Sequence, residues 1–302
     1  VKSISISRAK TWKTCKLQYK YTYETKFVPT EEKPIYVTAK GLALHETFEA
    51  ILKYENYKDD VACLPYRQMS IDDATKILNE EILKQKLPPA EVENFNMDLG
   101  LMRWLSFKHD FLDKNGHTMY AEKRYEQVLF GETTTITILD LLEDCGDGNY
   151  IIYDYKTPKS IDVSRYKEQL VLYAYVMACI KGIIKPGSTN YEDVAKHFKL
   201  FVFFPLAEGG HVDYKGSLKP LKFTANDVQS VIEHLQQTCN EIDAFDFNKP
   251  AEVLQPVQLN YQCNWCTFCG SAPQPEIGFQ GCPLSKFCGK PATNESFKKV
   301  EK

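Results

Sequence analysis

Three β-rich runs lie close together in the middle of the chain, at about Thr118 to Phe130, Thr133 to Glu143 and Tyr150 to Lys156. Between the second and third, Cys145-Gly-Asp-Gly148 is a turn signal, so these two runs are expected to pair as a hairpin. The residues before them carry helical signals instead. Ser70-Ile-Asp-Asp73 can cap a helix running to about Lys86, Pro88-Pro89 stops it, and Glu91 to Asn115 is then helical up to Gly116. After the hairpin, Val163 to Lys181 reads as a helix and Phe198 to Pro205 as a buried strand rich in Phe and Val. Thr224-Ala-Asn-Asp227 opens a last capped helix, to about Phe245. The order predicts a mixed sheet flanked by helices, an α/β (α+β) fold.

The third run, from Tyr150 to Thr157, reads Tyr-Ile-Ile-Tyr-Asp-Tyr-Lys-Thr and sets an acid and a lysine two residues apart on an apolar strand. Strand residues two apart share a face, so Asp154 and Lys156 project together. The preceding run Ile136-Thr-Ile-Leu-Asp140 also ends in a carboxylate, which the hairpin would bring alongside. Two carboxylates and an ammonium then converge, the donor set of a magnesium site with a cation beside it. Taken alone, the same spacing also describes a solvated strand edge. Further along, Gln169 and Tyr173 lie one helical turn apart on one side. Near the start, His45, Phe48, Glu49 and Leu52 fall at i, i+3, i+4 and i+7, so the histidine rides a largely buried stripe. A lone histidine there is either a hydrogen-bonded core residue or a metal ligand.

Asp140, then Asp154-Tyr-Lys156-Thr, then Tyr166-x-x-Gln169-x-x-x-Tyr173 resembles the RecB-like branch of the PD-(D/E)XK nuclease superfamily. Ser5-Ile-Ser7, Trp12, Cys15, Tyr19 and Tyr21 are similar to that family's opening pattern, and Gly41-Leu-Ala-Leu-His45 to its GxxxH helix. The chain departs from the pattern at Thr137, where glycine is usual, and at Lys16, where proline is usual; neither change removes a metal-binding group. The resemblance implies a restriction-endonuclease-like αβββαβ core at about 36–215, with the helices between Met69 and Asn115 as an insertion. It implies Mg²⁺ or Mn²⁺ held by His45, Asp140, Asp154 and the backbone carbonyl of Tyr155. Lys156 would orient the nucleophile or stabilise developing charge, and Gln169 and Tyr173 would support it or contact the substrate strand. A further acid is expected on the strand before the hairpin; Glu122 and Glu126 are both available, and Glu126 is preferred. The implied activity is hydrolysis of DNA phosphodiesters, foremost by an exonuclease on single-stranded DNA. The alternatives are a structure-specific or CRISPR-adaptation-type endonuclease, or a non-catalytic DNA-binding scaffold.

Five of the ten cysteines crowd into Cys263-Asn-Trp-Cys266-Thr-Phe-Cys269, Gly281-Cys282-Pro and Cys288. Such clustering without a secretory leader argues for metal rather than disulfides. Four thiolates hold either a structural Zn²⁺ or an iron–sulfur cluster, and the spacing alone fits both. The resemblance, which is to iron–sulfur nucleases such as exonuclease V, implies a [4Fe-4S] cluster on Cys15, Cys263, Cys266 and Cys282, with Cys269 and Cys288 as alternates. Such a site would join segments at about 1–25 and 255–290. Cys63, Cys145, Cys179 and Cys239 stand apart and read as ordinary core or surface residues.

With 302 residues and 43% hydrophobic content, the chain is expected to be a single domain, undivided by any repeat, low-complexity tract or linker, with a mobile tail after Pro291. The longest apolar stretch, Leu170 to Ile180, is too short to span a bilayer, and the expected compartment is the reducing cytoplasm. A net charge of −3 excludes a uniformly basic nucleic-acid coat. DNA would then be met by local patches, such as Lys10, Lys13, Lys16, Lys20 and Lys26 interleaved with Trp12, Tyr19, Tyr21 and Tyr23, although aromatics spaced this way more often pack in a core. The chain has no ATP-binding glycine loop, so any unwinding would come from a helicase or recombination partner.

Overall fold

The computed structural model describes residues 2–30, 36–55, 69–208, 214–254, 263, 266–269, 271–283 and 296–300. In chain order its elements begin with β1 (Ser3–Ile4), α1 (Ile6–Thr14), α2 (Lys16–Tyr19), β2 (Phe27–Pro29), α3 (Tyr36–Glu55), α4 (Ile71–Lys84), α5 (Pro89–Phe95), α6 (Met97–Phe107) and α7 (Asp113–Asn115). There follow β3 (Thr118–Phe130), β4 (Thr133–Gly146), β5 (Asn149–Tyr155), α8 (Lys167–Ile180), α9 (Tyr191–His197), β6 (Phe198–Phe203) and β7 (Leu218–Leu221). α10 (Ala225–Asp243), α11 (Ala251–Leu254) and β8 (Phe297–Lys299) complete the set. The chain divides into two compact units, one of residues 1–33, 130–134 and 233–302 and the other of residues 34–129 and 135–232.

The larger unit is built on a mixed sheet in the order β4-β5-β6-β7, with β3 also paired to β4. β4 and β5 form the expected hairpin, with Leu141 opposite Tyr153 and Asp144 opposite Tyr150. Its turn has positive φ at both Asp147 (50°) and Gly148 (74°), the pair of left-handed residues that matches the twist of the flanking strands. Replacing Gly148 by alanine is expected to cost about 1–2 kcal/mol, the price of a Cβ in that conformation, read as a lower urea midpoint. β5 and β6 are parallel, with Asp154 opposite Val202, and so require the crossover that α8 and α9 supply. Together α3, the β3–β5 meander, α8 and β6 follow the αβββαβ order, and α4 to α7 form the insertion.

The core of this unit explains its local structure. On α3, Ala39, Ala43, Leu44, Thr47, Phe48, Ile51 and Leu52 are buried, a helical stripe that packs Phe48 flat against Trp104 of α6 at 4.6 Å between ring centroids. Ser70 caps α4 by accepting from Asp73 N–H. The expected stop at Pro88-Pro89 is also a start, because Pro89 opens α5. The expected continuous helix from Glu91 is broken at Asn96, whose left-handed backbone (φ 52°) separates α5 from α6. Among the described residues, no helix is long and apolar enough to cross a membrane.

The smaller unit gathers both ends of the chain. Leu17, Tyr21, Phe27, Phe268, Phe279 and Phe297 form its aromatic core, and the Tyr21 hydroxyl donates to the carbonyl of Gly281 at 2.9 Å. Trp12 donates to Glu241 and meets Tyr19 and Phe245 edge-on. Within the segment after Pro291, β8 pairs antiparallel with β2, and Phe297 is buried in that core. Of the two readings of the N-terminal aromatics, packing is the one these residues take. Trp12, Tyr19 and Tyr21 are each 1% exposed, so their faces are closed to a nucleic-acid strand.

Candidate metal centre

Four elements of the larger unit bring charged groups to one end of the hairpin. Past the pair Leu141–Tyr153 the two strands part, and the Asp140 carboxylate takes the place of a ladder carbonyl by accepting from Tyr155 N–H. β5 remains paired to β6 beyond this point, since Lys156 N–H donates to the Phe203 carbonyl at 2.8 Å. Asp154 is therefore held rigidly at the rim, buried to 2%, with its carboxylate 2.8 Å from the Lys156 ammonium.

α3 supplies His45, which lies beside the buried stripe and is partly exposed. Its Nδ1 is 3.3 Å from Glu122 and 3.5 Å from Asp140, and its Nε2 is 3.1 Å from the Tyr155 carbonyl. His45, Glu122 and Asp140 offer ligand atoms that all lie within 4.8 Å of one another. Of the two acids of β3, Glu122 stands in this group and Glu126 does not. Strand parity alone would put both on one face. Glu122 however has φ 44°, a left-handed residue inside a strand that breaks the alternation. Glu126 ends up 54% exposed and paired with Arg124.

The charges perturb one another strongly. Burial opposes the His45 cation, yet Asp140 and Glu122 outweigh it and raise the imidazole to about 10. Burial would raise Asp140, but the His45 and Lys156 cations hold it below the usual carboxylate range. Asp154 moves the other way: burial, with Asp140 adding, lifts it to about 6 against the pull of Lys156. Burial also raises Glu122. Lys156 stays raised because Asp154 and Asp140 overcome the burial that opposes its charge. Such opposed carboxylates in one pocket are typical of sites built for a further cation.

Gln169 and Tyr173 meet as expected one turn apart on α8, the Gln169 amide donating to the Tyr173 hydroxyl at 2.7 Å. Tyr173 is close enough to Asp154, Asp140 and Lys156 to feel their charges, and burial raises its hydroxyl to about 12. One partner lacked a role in the sequence reading. The Lys156 ammonium sits 5.2 Å from the centre of the Tyr166 ring, a cation–π contact from the tyrosine three residues before Gln169. Its signal was present in the Tyr166-x-x-Gln169 spacing.

In the smaller unit, Cys15, Cys266 and Cys282 are half-buried and pack against one aromatic cluster. Burial pushes the Cys15 thiol up to about 11, and the Cys266 and Cys282 sulfurs are near enough to add to the rise. Cys263 is half-buried too, and its carbonyl accepts from Cys266 N–H at 3.3 Å. Cys269, an alternate ligand by sequence, is disulfide-bonded and so does not offer a free sulfur. Cys288, the other alternate, and Cys63 lie outside the described residues.

The sequence profile of the PD-(D/E)XK nuclease superfamily matches residues 3–271. No curated protein matches the chain at a significant level. Similar solved structures include SSO0001, at 12% identity over 87% of this chain and 92% of that one, with a TM-score of 0.31. Protein VC1899 from Vibrio cholerae aligns at 12% identity over 78% of this chain and 57% of its own, with a TM-score of 0.24. At TM-scores this low neither likeness bears on function.

Proposed function

The chain belongs to the PD-(D/E)XK nuclease superfamily, a superfamily of metal-dependent nucleases, and from that premise we propose that it hydrolyses DNA phosphodiesters, with single-stranded ends as its first substrate. The observation that carries this reading is the convergence of Asp140, Asp154, Glu122, His45 and Lys156 where β4 and β5 part. The donor set suits a hard dication. Carboxylates of Asp140, Asp154 and Glu122 and the Tyr155 carbonyl are oxygen ligands of the kind Mg²⁺ or Mn²⁺ takes, with His45 completing the set. When bound, such an ion supplies Lewis acidity that makes a water nucleophilic near neutral pH and offsets charge on the phosphate.

The chain's own groups do the rest. Lys156, fixed by Asp154 and the Tyr166 ring, directs its ammonium at the attacked phosphate and stabilises the charge that develops there. Gln169 and Tyr173 form a hydrogen-bonded pair beside it that limits where the lysine can move. Burial of Asp154 and Asp140 keeps bulk water from screening these charges.

In the smaller unit we assign Cys15, Cys263, Cys266 and Cys282 to a [4Fe-4S] cluster, which makes the chain a RecB-like iron–sulfur nuclease. Three of these cysteines, Cys15, Cys266 and Cys282, are half-buried against one core, an arrangement that fits such a group. Iron and sulfide analysis after anaerobic purification separates this cluster from a structural Zn²⁺, which would leave the protein colourless.

The end requirement is drawn from the iron–sulfur nucleases that the chain resembles. Its test is digestion of end-labelled linear and closed circular single strands, with and without chelator. Linear strands are expected to be degraded only without chelator, and circles to be spared in either case. Cleavage of circles at the linear rate would replace the exonuclease by an endonuclease.

A further inference from the structure

A second group of metal-ligating side chains stands in the larger unit, near the C-terminal end of β4. His117, Glu143 and Cys145 offer ligand atoms that all lie within 4.8 Å of one another. Glu143 and Cys145 lie at the end of β4, with Cys145 at the bulge where the register with β5 shifts between Asp144 and Gly146. His117 stands just before β3, which pairs with β4. The site is oriented in advance. Glu143 is fully buried, and its carboxylate is gripped from three sides: by the Tyr153 hydroxyl at 2.6 Å, the Asn115 amide at 2.9 Å and His117 Nδ1 at 2.6 Å. The His117 side chain is 34% exposed, which leaves a path from solvent. Cys145 is a free, half-buried thiol.

We propose that His117, Glu143 and Cys145 bind one dication of the Zn²⁺ class. A thiolate, an imidazole and a carboxylate are the ligand types such ions select, whereas Mg²⁺ prefers oxygen ligands and is poorly matched to a thiolate. The set therefore differs in kind from the oxygen-rich group around Asp140. Three protein ligands leave one corner of a tetrahedron for water. Binding would exchange the His117–Glu143 hydrogen bond for two bonds to the ion. The turn that follows α7 would then be clamped to the end of β4. Tyr153 and Asn115 keep their hydrogen bonds to Glu143 in the bound form, as groups that orient a ligating carboxylate do.

The same contacts could instead serve only to satisfy a buried carboxylate, and the experiment separates the two. The full chain, stripped of loosely held metal and kept in excess Mg²⁺, is titrated with Co²⁺ alongside Cys145→Ser and His117→Gln. Cobalt taken up by other cysteines cancels in the difference. The wild type is expected to hold one more Co²⁺ per chain than either variant, and its thiolate-to-cobalt charge-transfer band to weaken in Cys145→Ser. Its melting temperature should also rise on adding Co²⁺ by more than that of either variant. Asn115→Ala should keep the site with about tenfold weaker binding. Equal cobalt and superimposable spectra in the wild type and both folded variants would overturn the proposal. Neither side chain belongs to the nuclease centre, so DNA cleavage in Mg²⁺ by the cobalt-free variants should match the cobalt-free wild type whichever way the titration falls.

Discussion

Lys156→Ala is expected to slow single-turnover cleavage of linear single-stranded DNA by about a hundred- to a thousandfold, with the chain still folded. The lysine is the cation that Asp154 fixes at 2.8 Å and the Tyr166 ring supports from below. Removing it takes away charge stabilisation that matters most as the phosphorane forms. It also strips Asp154 of its partner, and a carboxyl already lifted to about 6 by burial can then take up a proton rather than stay charged and unpaired. That limits the structural damage. Asp154→Asn is expected to give the same loss, since it removes a carboxylate assigned above to the ion while Lys156 retains the charge of Asp140 nearby. Rates are read by quenched flow on end-labelled strands at saturating Mg²⁺, and folding by circular dichroism. Near-normal turnover in either folded variant would remove the nuclease centre from this place in the fold.

Cys266→Ser is expected to cost most of the iron and to lower the melting temperature by about 10 °C or more, because metal bound only by the folded chain contributes directly to stability. Cys266 and Cys282 lie against the aromatic core built from Leu17, Tyr21, Phe268 and Phe279, so the loss falls on the packing that ties both chain ends together. Cys179→Ser serves as the comparison. That thiol is buried on α8 in the other unit, raised to about 11 by burial, and should leave iron content unchanged. Unchanged iron in Cys266→Ser would discard the cluster assignment while leaving the Lys156 experiment untouched.

Much of the site was legible before any coordinates. The Asp154-x-Lys156 spacing needs only the two-residue repeat of a strand, and the Gln169–Tyr173 pair needs only the helical repeat. The turn at Asp147-Gly148 carried its own chemistry, so the hairpin that sets Asp140 against Tyr155 could be anticipated. Glu122 could not be singled out, because its choice over Glu126 depends on one left-handed residue within β3. The role of the N-terminal aromatics was open for a related reason. Their spacing suits either a stacking platform or a packed core, and only the partners Phe245, Phe247 and Phe279, more than two hundred residues away, decide for the core.

Local order came from the sequence itself: caps, turns, strand parity and the residue types of a hard-cation site all act within a few residues, where backbone geometry leaves little choice. Tertiary structure alone decided which acid of β3 faces His45, that Phe297 draws the last segment into a core, and that His117, Glu143 and Cys145 stand together. Each of these rests on contacts between distant segments, whose free energy comes from shared burial and charge that no local pattern encodes.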